Sequence, residues 1–399
     1  MFHTGGFAEE AAKDWVRLGL YASLEPNVVR PFGEQTRMFA DLWRIGQGLG
    51  VEVVVLVPGY ARTGRGYLYD HAADRWRPDS VPLPSVVYRR SGSFRAPAAL
   101  VREDLALFHR RGVLHTLPRA VSNKWTFYRL LTADAALQRY VPWSRLASGP
   151  QDVYRALLEV SDVYVKPLGG AQGISVYRLR WKGAEGEARW EERIVPRRTE
   201  RITQRFQPFT RLQLRRFRTP AEFRAFWGTT KLGRCLVQET VELPRTRDGR
   251  PFDFRWLIQY ADEARVLARV ARVGRPEAVT TNIHTGGQAV PADTALRGAG
   301  IPHPDGLLGQ LDAVALLVAD RLRRKYGPYA EVGVDLALRP DLTPVVFEVN
   351  PTPGRRMLRS LERHVRELSL ETLIEYAIRA TRVQSPGTTR KGESTDEGW

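Results

Sequence analysis

Apolar and polar positions recur with two periods along this chain, and together they predict alternating strands and helices. Val16–Ala22 (VRLGLYA) has the length and content of a first strand. Gly33–Gly48 keeps helical spacing through Phe39, Leu42, Trp43 and Ile45. Val51–Val57 is a second strand, ended by Pro58 and Gly59. Val86–Tyr88 is a third, Leu100–Arg111 a helix and Val113–His115 a short strand. This order predicts a small parallel sheet over residues 16–118. The glycine-rich run Gly46–Gly50 lies between a helix and a strand, so it reads as a helix C-cap and not as a dinucleotide loop.

Pro118–Ser122 marks a boundary. A helix follows over Lys124–Ala136, with Ser122 or Asn123 as N-cap. Val163–Lys166 is a strand leading into Pro167-Leu168-Gly169-Gly170-Ala171-Gln172-Gly173, and Ile174–Leu179 follows as another. Residues 180–218 are charged, partly β-like and rich in Arg and Trp; their pattern fixes no elements. Thr219–Trp227 is a helix with Pro220 in its first turn. Leu236–Gln238, Arg255–Tyr260 and Arg265–Arg272 read as strands of one antiparallel sheet. Gly306–Tyr326 is a long amphipathic helix, Gly333–Leu338 and Pro344–Asn350 form a hairpin, and Arg355–Arg382 is mostly helical. The polar residues from Gln384 onward are expected to be disordered.

Composition narrows the classes. A chain of 399 residues with 43% hydrophobic content can fill roughly two or three cores. No apolar run reaches membrane-spanning length, the N-terminus lacks an apolar signal core, and Cys235 is the only cysteine. These features point to a cytoplasmic protein without disulfides or CxxC zinc clusters, and with no membrane partner. Net charge is +17, and 54 of the 61 basic residues are arginine. The charge is spread along the chain with no RNA- or DNA-reading motif, so a nucleic-acid role ranks lowest.

Several clusters carry candidate chemistry. If the hairpin pairs about a centre between Asp341 and Leu342, Asp335 stands opposite Glu348 and Gly333 opposite Asn350. Two opposed carboxylates repel without a cation. With the Asn350 amide they make a hard, all-oxygen set suited to Mg2+ shared with phosphates, although exposed strand carboxylates would look the same. Gly169, Gly170 and Gly173 allow close backbone approach to an anion, and Lys166 adds a point charge; a plain hairpin turn is the competing reading. No Walker A loop is present. Gln238, Glu239, Thr240, Val241 and Glu242 end a strand, offering backbone groups to an adenine edge and a carboxylate to a ribose, or simply closing the strand. Arg255 heads a strand, and alternation puts Arg269 and Arg272 on opposite faces, so only one of those two can meet a ligand. Asn282 precedes a paired-glycine turn and could touch phosphate or metal; His284 beside it is unpersuasive as a base. HExxH, GxSxG and Cys–His arrangements are absent.

In order and spacing, these pieces resemble the ATP-grasp superfamily. More closely they resemble its endospore coat-associated YheC/YheD-type branch, related to RimK-like and glutathione-synthetase-like ligases. The carrying segments are PSVVYRR at 84–90, SNKW at 122–125, VYVKPLGGAQGISVYRL at 163–179, LVQETVEL at 236–243, PFDFRWLIQ at 251–259, VTTNIHTGGQA at 279–289, GVDLAL at 333–338 and FEVNPTPG at 347–354.

The resemblance implies an α/β and α+β protein. An extension (1–15) would precede a Rossmann-like pre-ATP-grasp domain (16–118). A two-lobed ATP-grasp fold (119–235 and 236–382) and a tail (383–399) would follow. It implies Lys124 and Lys166 on phosphate or adenine, Gly169–Gly173 over the phosphates and Gln238–Val241 as the adenine hinge, with Glu242 toward ribose. Arg255 and Arg272 would face the γ-phosphate, and Asp335, Glu348 and Asn350 would hold Mg2+. It further implies an ATP-dependent carboxylate–amine ligase that forms an acyl phosphate from a small-molecule or peptide acid, with spore-coat proteins as further partners. A coat scaffold that binds ATP with little turnover is the alternative.

Overall fold

A computed structural model describes residues 16–170, 174–194, 209–276, 278–281 and 286–383. The expectations for the two termini, Gly173, Asn282 and His284 lie outside the described residues. The chain forms two compact units. The first holds residues 16–115 and 370–383, the second residues 116–369.

The first unit contains β1 (Val16–Tyr21), α1 (Thr36–Leu49), β2 (Val51–Leu56), the short α2 (Tyr60–Thr63), β3 (Arg65–Asp70), β4 (Arg75–Ser80), β5 (Val86–Arg89) and α3 (Ala98–Arg110). Its sheet runs β4-β3-β2-β1-β5, with β1 parallel to both β2 and β5. The β3–β4 hairpin went unread because its strands are mostly polar, as befits the sheet edge. Val113–His115 contributes only a bridge, Val87 to Leu114. Gly50 closes α1 at φ 71°, donating its N–H to the Gly46 carbonyl, so the glycine run is a C-cap as expected. The buried Asp104 carboxylate accepts from Tyr21 Oη and from the Gly59 and Ala61 amides at the start of α2.

The second unit contains two sheets. Its elements begin with α4 (Lys124–Thr132), β6 (Ser144–Ala147), α5 (Pro150–Val160), β7 (Asp162–Pro167), β8 (Tyr177–Lys182), β9 (Glu185–Ile194), β10 (Phe209–Phe217), α6 (Pro220–Thr229) and β11 (Cys235–Glu239). They continue with β12 (Phe252–Tyr260), β13 (Ala264–Val273), β14 (Gln288–Pro291), α7 (Ala292–Gly298), α8 (Asp305–Tyr326), β15 (Glu331–Leu338) and β16 (Pro344–Asn350). A 3-10 turn over Arg356–Ser360 precedes α9 (Arg363–Val383), so Arg355–Arg382 is mostly helical, as expected, in two pieces. The part of α9 from 370 onward belongs to the first unit, whereas the sequence reading assigned it to the second lobe.

One sheet runs β10-β9-β8-β7-β11-β6, the other β14-β13-β12-β15-β16. This corrects the expected grouping: β11 pairs with β6 and β7, not with β12 and β13. β6 and α5 had not been foreseen, and the strand expected at Ile174 begins at Tyr177. Asn123 caps α4, its Oδ1 accepting from the Trp125 and Thr126 amides. No helix among the described residues is long and apolar enough to cross a membrane.

The six-stranded sheet buries Val163, Val165, Leu179, Ala188 and Phe217 against Val153, Leu157, Phe223 and Phe226 of α5 and α6. Gly186 makes room for the Phe217 ring: a Cβ there would lie 2.1 Å from its Cε2. That ring is held by Phe223 at 5.0 Å and Phe226 at 6.4 Å between centroids. Gly186→Ala is therefore expected to cost about 1–3 kcal/mol in thermal unfolding. An unchanged midpoint would mean that the ring swings aside freely.

Candidate functional site

The charged face of the five-stranded sheet follows from register. Asp253 and Arg255 are two apart on β12, so both point to one face. The β12–β13 ladder sets Asp253 opposite Arg272, and the β12–β15 ladder sets Arg255 opposite Asp335. In the last pair Asp335 stands opposite Glu348 and Gly333 opposite Asn350, as the hairpin pattern required. A bulge after Asp335 shifts the outer half, pairing Leu336 with Val346. The expected single centre therefore holds only for the inner half, which bears the site.

Charges alternate across this face. Arg255 Nε and Nη2 donate to both Asp335 oxygens at 2.5 Å, and Arg272 Nη1 donates to Asp335 Oδ2 at 2.9 Å. Arg272 also grips Asp253 through Nε at 2.8 Å and Nη2 at 2.6 Å. Burial works against ionisation of Asp335, but Arg255 and Arg272 outweigh it and hold the carboxyl below the usual range. Arg269 pairs instead with Asp312 of α8, on the opposite face. Asp253, which lies within the segment PFDFRWLIQ, was not among the expected site residues. The i, i+2 spacing of Asp253 and Arg255 was the signal that both share the site.

The other sheet and α4 supply lysines. Lys166, near the end of β7, donates to Gln238 Oε1 on β11 at 2.7 Å, and Gln238 Nε2 donates to Ser144 Oγ at 3.1 Å. The Lys166 amine lies 5.3 Å from the ring centroids of both Tyr164 and Phe347. Burial pulls its pKa down to about 8; Glu348 opposes the shift and Lys124 adds to it. Lys124, at the start of α4, lies 3.1 Å from Glu348 Oε2 and donates to the Gly170 carbonyl at 3.4 Å. Gly170 has φ 114°, a conformation that favours glycine, and follows Gly169 directly after β7.

The hinge after β11 is more committed than its sequence suggested. The Glu239 amide donates to Trp143 O and the Thr240 amide to Asp162 O, so neither N–H is available to an adenine edge. The Glu239 carboxylate accepts from Arg339 at 2.7 Å, Thr240 Oγ1 donates to Asp162, and Val241 is buried. Glu242 is exposed. Only Gln238 of this group touches the lysine cluster.

Among the described residues, no three His, Cys, Asp or Glu side chains converge as a metal site. Asp335 and Glu348 are instead a facing carboxylate pair, with Asn350 two residues along β16 on the same face. Asn350 Oδ1 accepts from the Thr352 amide at 3.0 Å and keeps a second lone pair. Such a hard, anionic donor set fits Mg2+, which retains water or phosphate ligands.

Two sheets, one of them joined by α4 in bringing lysines to the carboxylates and arginines on the other, define an ATP-grasp fold. The D-alanine-D-alanine ligase from Coxiella burnetii shares it at a TM-score of 0.50 and 12% identity, over 92% of this chain and 97% of that one. The macrocyclase MdnC from Microcystis aeruginosa MRC, solved with its precursor peptide MdnA, does so at 0.51 and 12%, over 91% and 99%. More narrowly, the chain belongs to the YheC/D-like ATP-grasp family, whose sequence model it matches over residues 114–379. The endospore coat-associated protein YheD of Bacillus subtilis (strain 168) is 26% identical over 379 residues, 90% of this chain and 76% of that protein.

Proposed function

We propose that the protein binds ATP with Mg2+ and joins a carboxylate to an amine through an acyl phosphate. One observation carries this reading: Lys124 meets Glu348 at the edge of the Asp335–Arg255–Arg272 network, and the buried Lys166 amine lies within the electrostatic reach of Glu348. That arrangement sets lysine point charges beside oriented guanidinium groups, as transfer of a phosphoryl group requires. Lys124 and Lys166 would contact the phosphates, with Gly169 and Gly170 approaching through their backbone. Arg255 and Arg272 would balance charge spreading onto the transferred group. The acid's oxygen bonds to the γ-phosphorus as ADP departs; the amine then bonds to the acyl carbon as phosphate departs. Asp335, Glu348 and Asn350 would hold Mg2+, which supplies charge neutralisation when bound. Positioning and charge suffice for this chemistry, so no protein nucleophile is needed.

The test is calorimetry of ATP binding with and without Mg2+, on wild type and Glu348→Ala, followed by ADP release against pools of acids and amines. Glu348 is partly exposed, with 36% of its side-chain surface accessible, so alanine is expected to leave the fold intact and weaken Mg-dependent binding. An affinity loss of about tenfold or more is expected from one charged ligand. Wild type that binds no nucleotide at any Mg2+ concentration would sink the reading.

A coat scaffold with little turnover is the second reading, favoured by the charge balance that protein cations alone give Asp335 and Glu348. It predicts association with the spore coat that survives Glu348→Ala. It also predicts a cytoplasmic chain that reaches the coat through protein partners.

A further inference from the structure

The far edge of the six-stranded sheet has properties that nucleotide chemistry does not require. β10 is the terminal strand, paired only with β9. Half of its amides and carbonyls therefore point away from the sheet, and no strand meets that edge among the described residues. Native edges of this length are usually blunted by a bulge, a proline or a covering element. The β9–β10 ladder runs from Phe209–Ile194 to Phe217–Gly186 without a register shift, and β10 contains no proline.

Its two faces differ. Phe217 points into the core beneath α5 and α6, so alternation puts Arg211, Gln213 and Arg215 on that side. Leu212, Leu214 and Arg216 take the other side. Leu212 is 39% exposed and Leu214 48% exposed, the only large apolar side chains so placed on any strand of this sheet among the described residues. They face Glu191 and Arg189 across the ladder, and Arg189 in turn faces Arg178, which faces Tyr164. The leucines thus share the sheet face that carries Lys166.

Charge selects the occupant. Arg211, Arg215, Arg216 and Arg218 are all exposed. Glu185 lies 3.2 Å from Arg218 and 3.9 Å from Arg216, while no carboxylate pairs with Arg211 or Arg215 among the described residues. A second copy laid edge to edge would bring like charges together, which is unfavourable across a strand pair. A single-stranded nucleic acid would want exposed aromatic platforms, but Trp181 and Trp190 are packed against the sheet core.

We infer that β10 is a docking edge for an extended acidic peptide segment, which adds to the sheet as a further strand. The period of two fixes its pattern: carboxylates at alternate positions over Arg211 and Arg215, and small apolar side chains between them over Leu212 and Leu214. Main-chain hydrogen bonds to the edge supply affinity, and the alternation supplies register. The inference needs no nucleotide, so it stands or falls separately from the ligase reading.

The experiment measures fluorescence anisotropy of a labelled, end-blocked peptide of alternating Glu and Val, about as long as β10. Wild type is expected to bind it in physiological salt. Peptides with the same composition in block order, or with N-methyl groups on alternate amides, should bind at least about tenfold more weakly. Arg211→Glu with Arg215→Glu should lose a similar factor, and Leu212→Ser with Leu214→Ser should weaken binding at unchanged ionic strength. These positions are exposed, so thermal midpoints should match wild type. Equal binding of the N-methylated peptide, or no effect of the charge reversals, would overturn the proposal. So would tighter binding of an oligouridine, or wild-type self-association that the leucine changes abolish.

Discussion

Replacing Asp335 with alanine is expected to destabilise the protein by about 3–5 kcal/mol, because it strips a buried partner from two arginines at once. Arg272 keeps Asp253, but Arg255 has no second carboxylate partner among the described residues. The side chains of Arg272 and Arg255 are only 9% and 18% exposed, so neither can readily recover hydration. Urea unfolding of wild type, Asp335→Ala and Asp335→Asn tests this. Asparagine, which retains part of the hydrogen bonding, should lose less than alanine. The sign with pH follows from the lowered Asp335 pKa. Its stabilisation is present above the ordinary carboxylate range and is lost as pH falls through the folded-state value. Wild type and Asp335→Ala should therefore converge in stability at acid pH. A loss below about 1 kcal/mol at neutral pH would mean that both arginines relax into solvent and the network is a surface feature.

The second large effect concerns Lys166. Its amine titrates near pH 8, lowered mainly by burial, against 10.5 for the exposed side chain. Between those values the unfolded chain holds a proton that the folded one lacks, so this group makes folding more favourable as pH rises. Nucleotide binding should move the opposite way. A polyanion needs the protonated amine, so affinity for Mg·ATP should fall by about tenfold per pH unit above pH 8, with proton uptake on binding below the pKa of the complex. Lys166→Met should flatten both trends and weaken binding about 10- to 100-fold at pH 7. Calorimetry in buffers of different ionisation enthalpy measures affinity and proton uptake together. A flat affinity profile from pH 7 to 9 would show that Lys166 does not meet the phosphates.

What could be read in advance was whatever lies close together along the chain. The facing of Asp335 and Glu348 followed from a short hairpin with a period of two, because few registers close so short a turn. That Arg269 and Arg272 part to opposite faces needed only alternation along one strand, and they do, one to Asp312 and one to Asp335; which of them faces the site came from the family resemblance. The C-cap at Gly50 was equally local.

The rest waited for tertiary structure. That β11 lies between β7 and β6 rests on pairings between distant segments, which no local pattern encodes. The Lys166–Gln238 contact joins residues 72 apart and exists only because of that strand order. The Glu239 and Thr240 amides looked ready to meet adenine until Trp143 and Asp162 took them. The single-residue bulge after Asp335 was invisible because the pattern of buried residues on β15 is unbroken. By itself the sequence determined the family, the alternation of elements and which side chains share a strand face, since these depend on spacing and chirality. Only the tertiary structure decided which strands lie side by side, and hence which charges neutralise one another. Those pairings are set by the packing of whole faces rather than by any residue's neighbours in the chain.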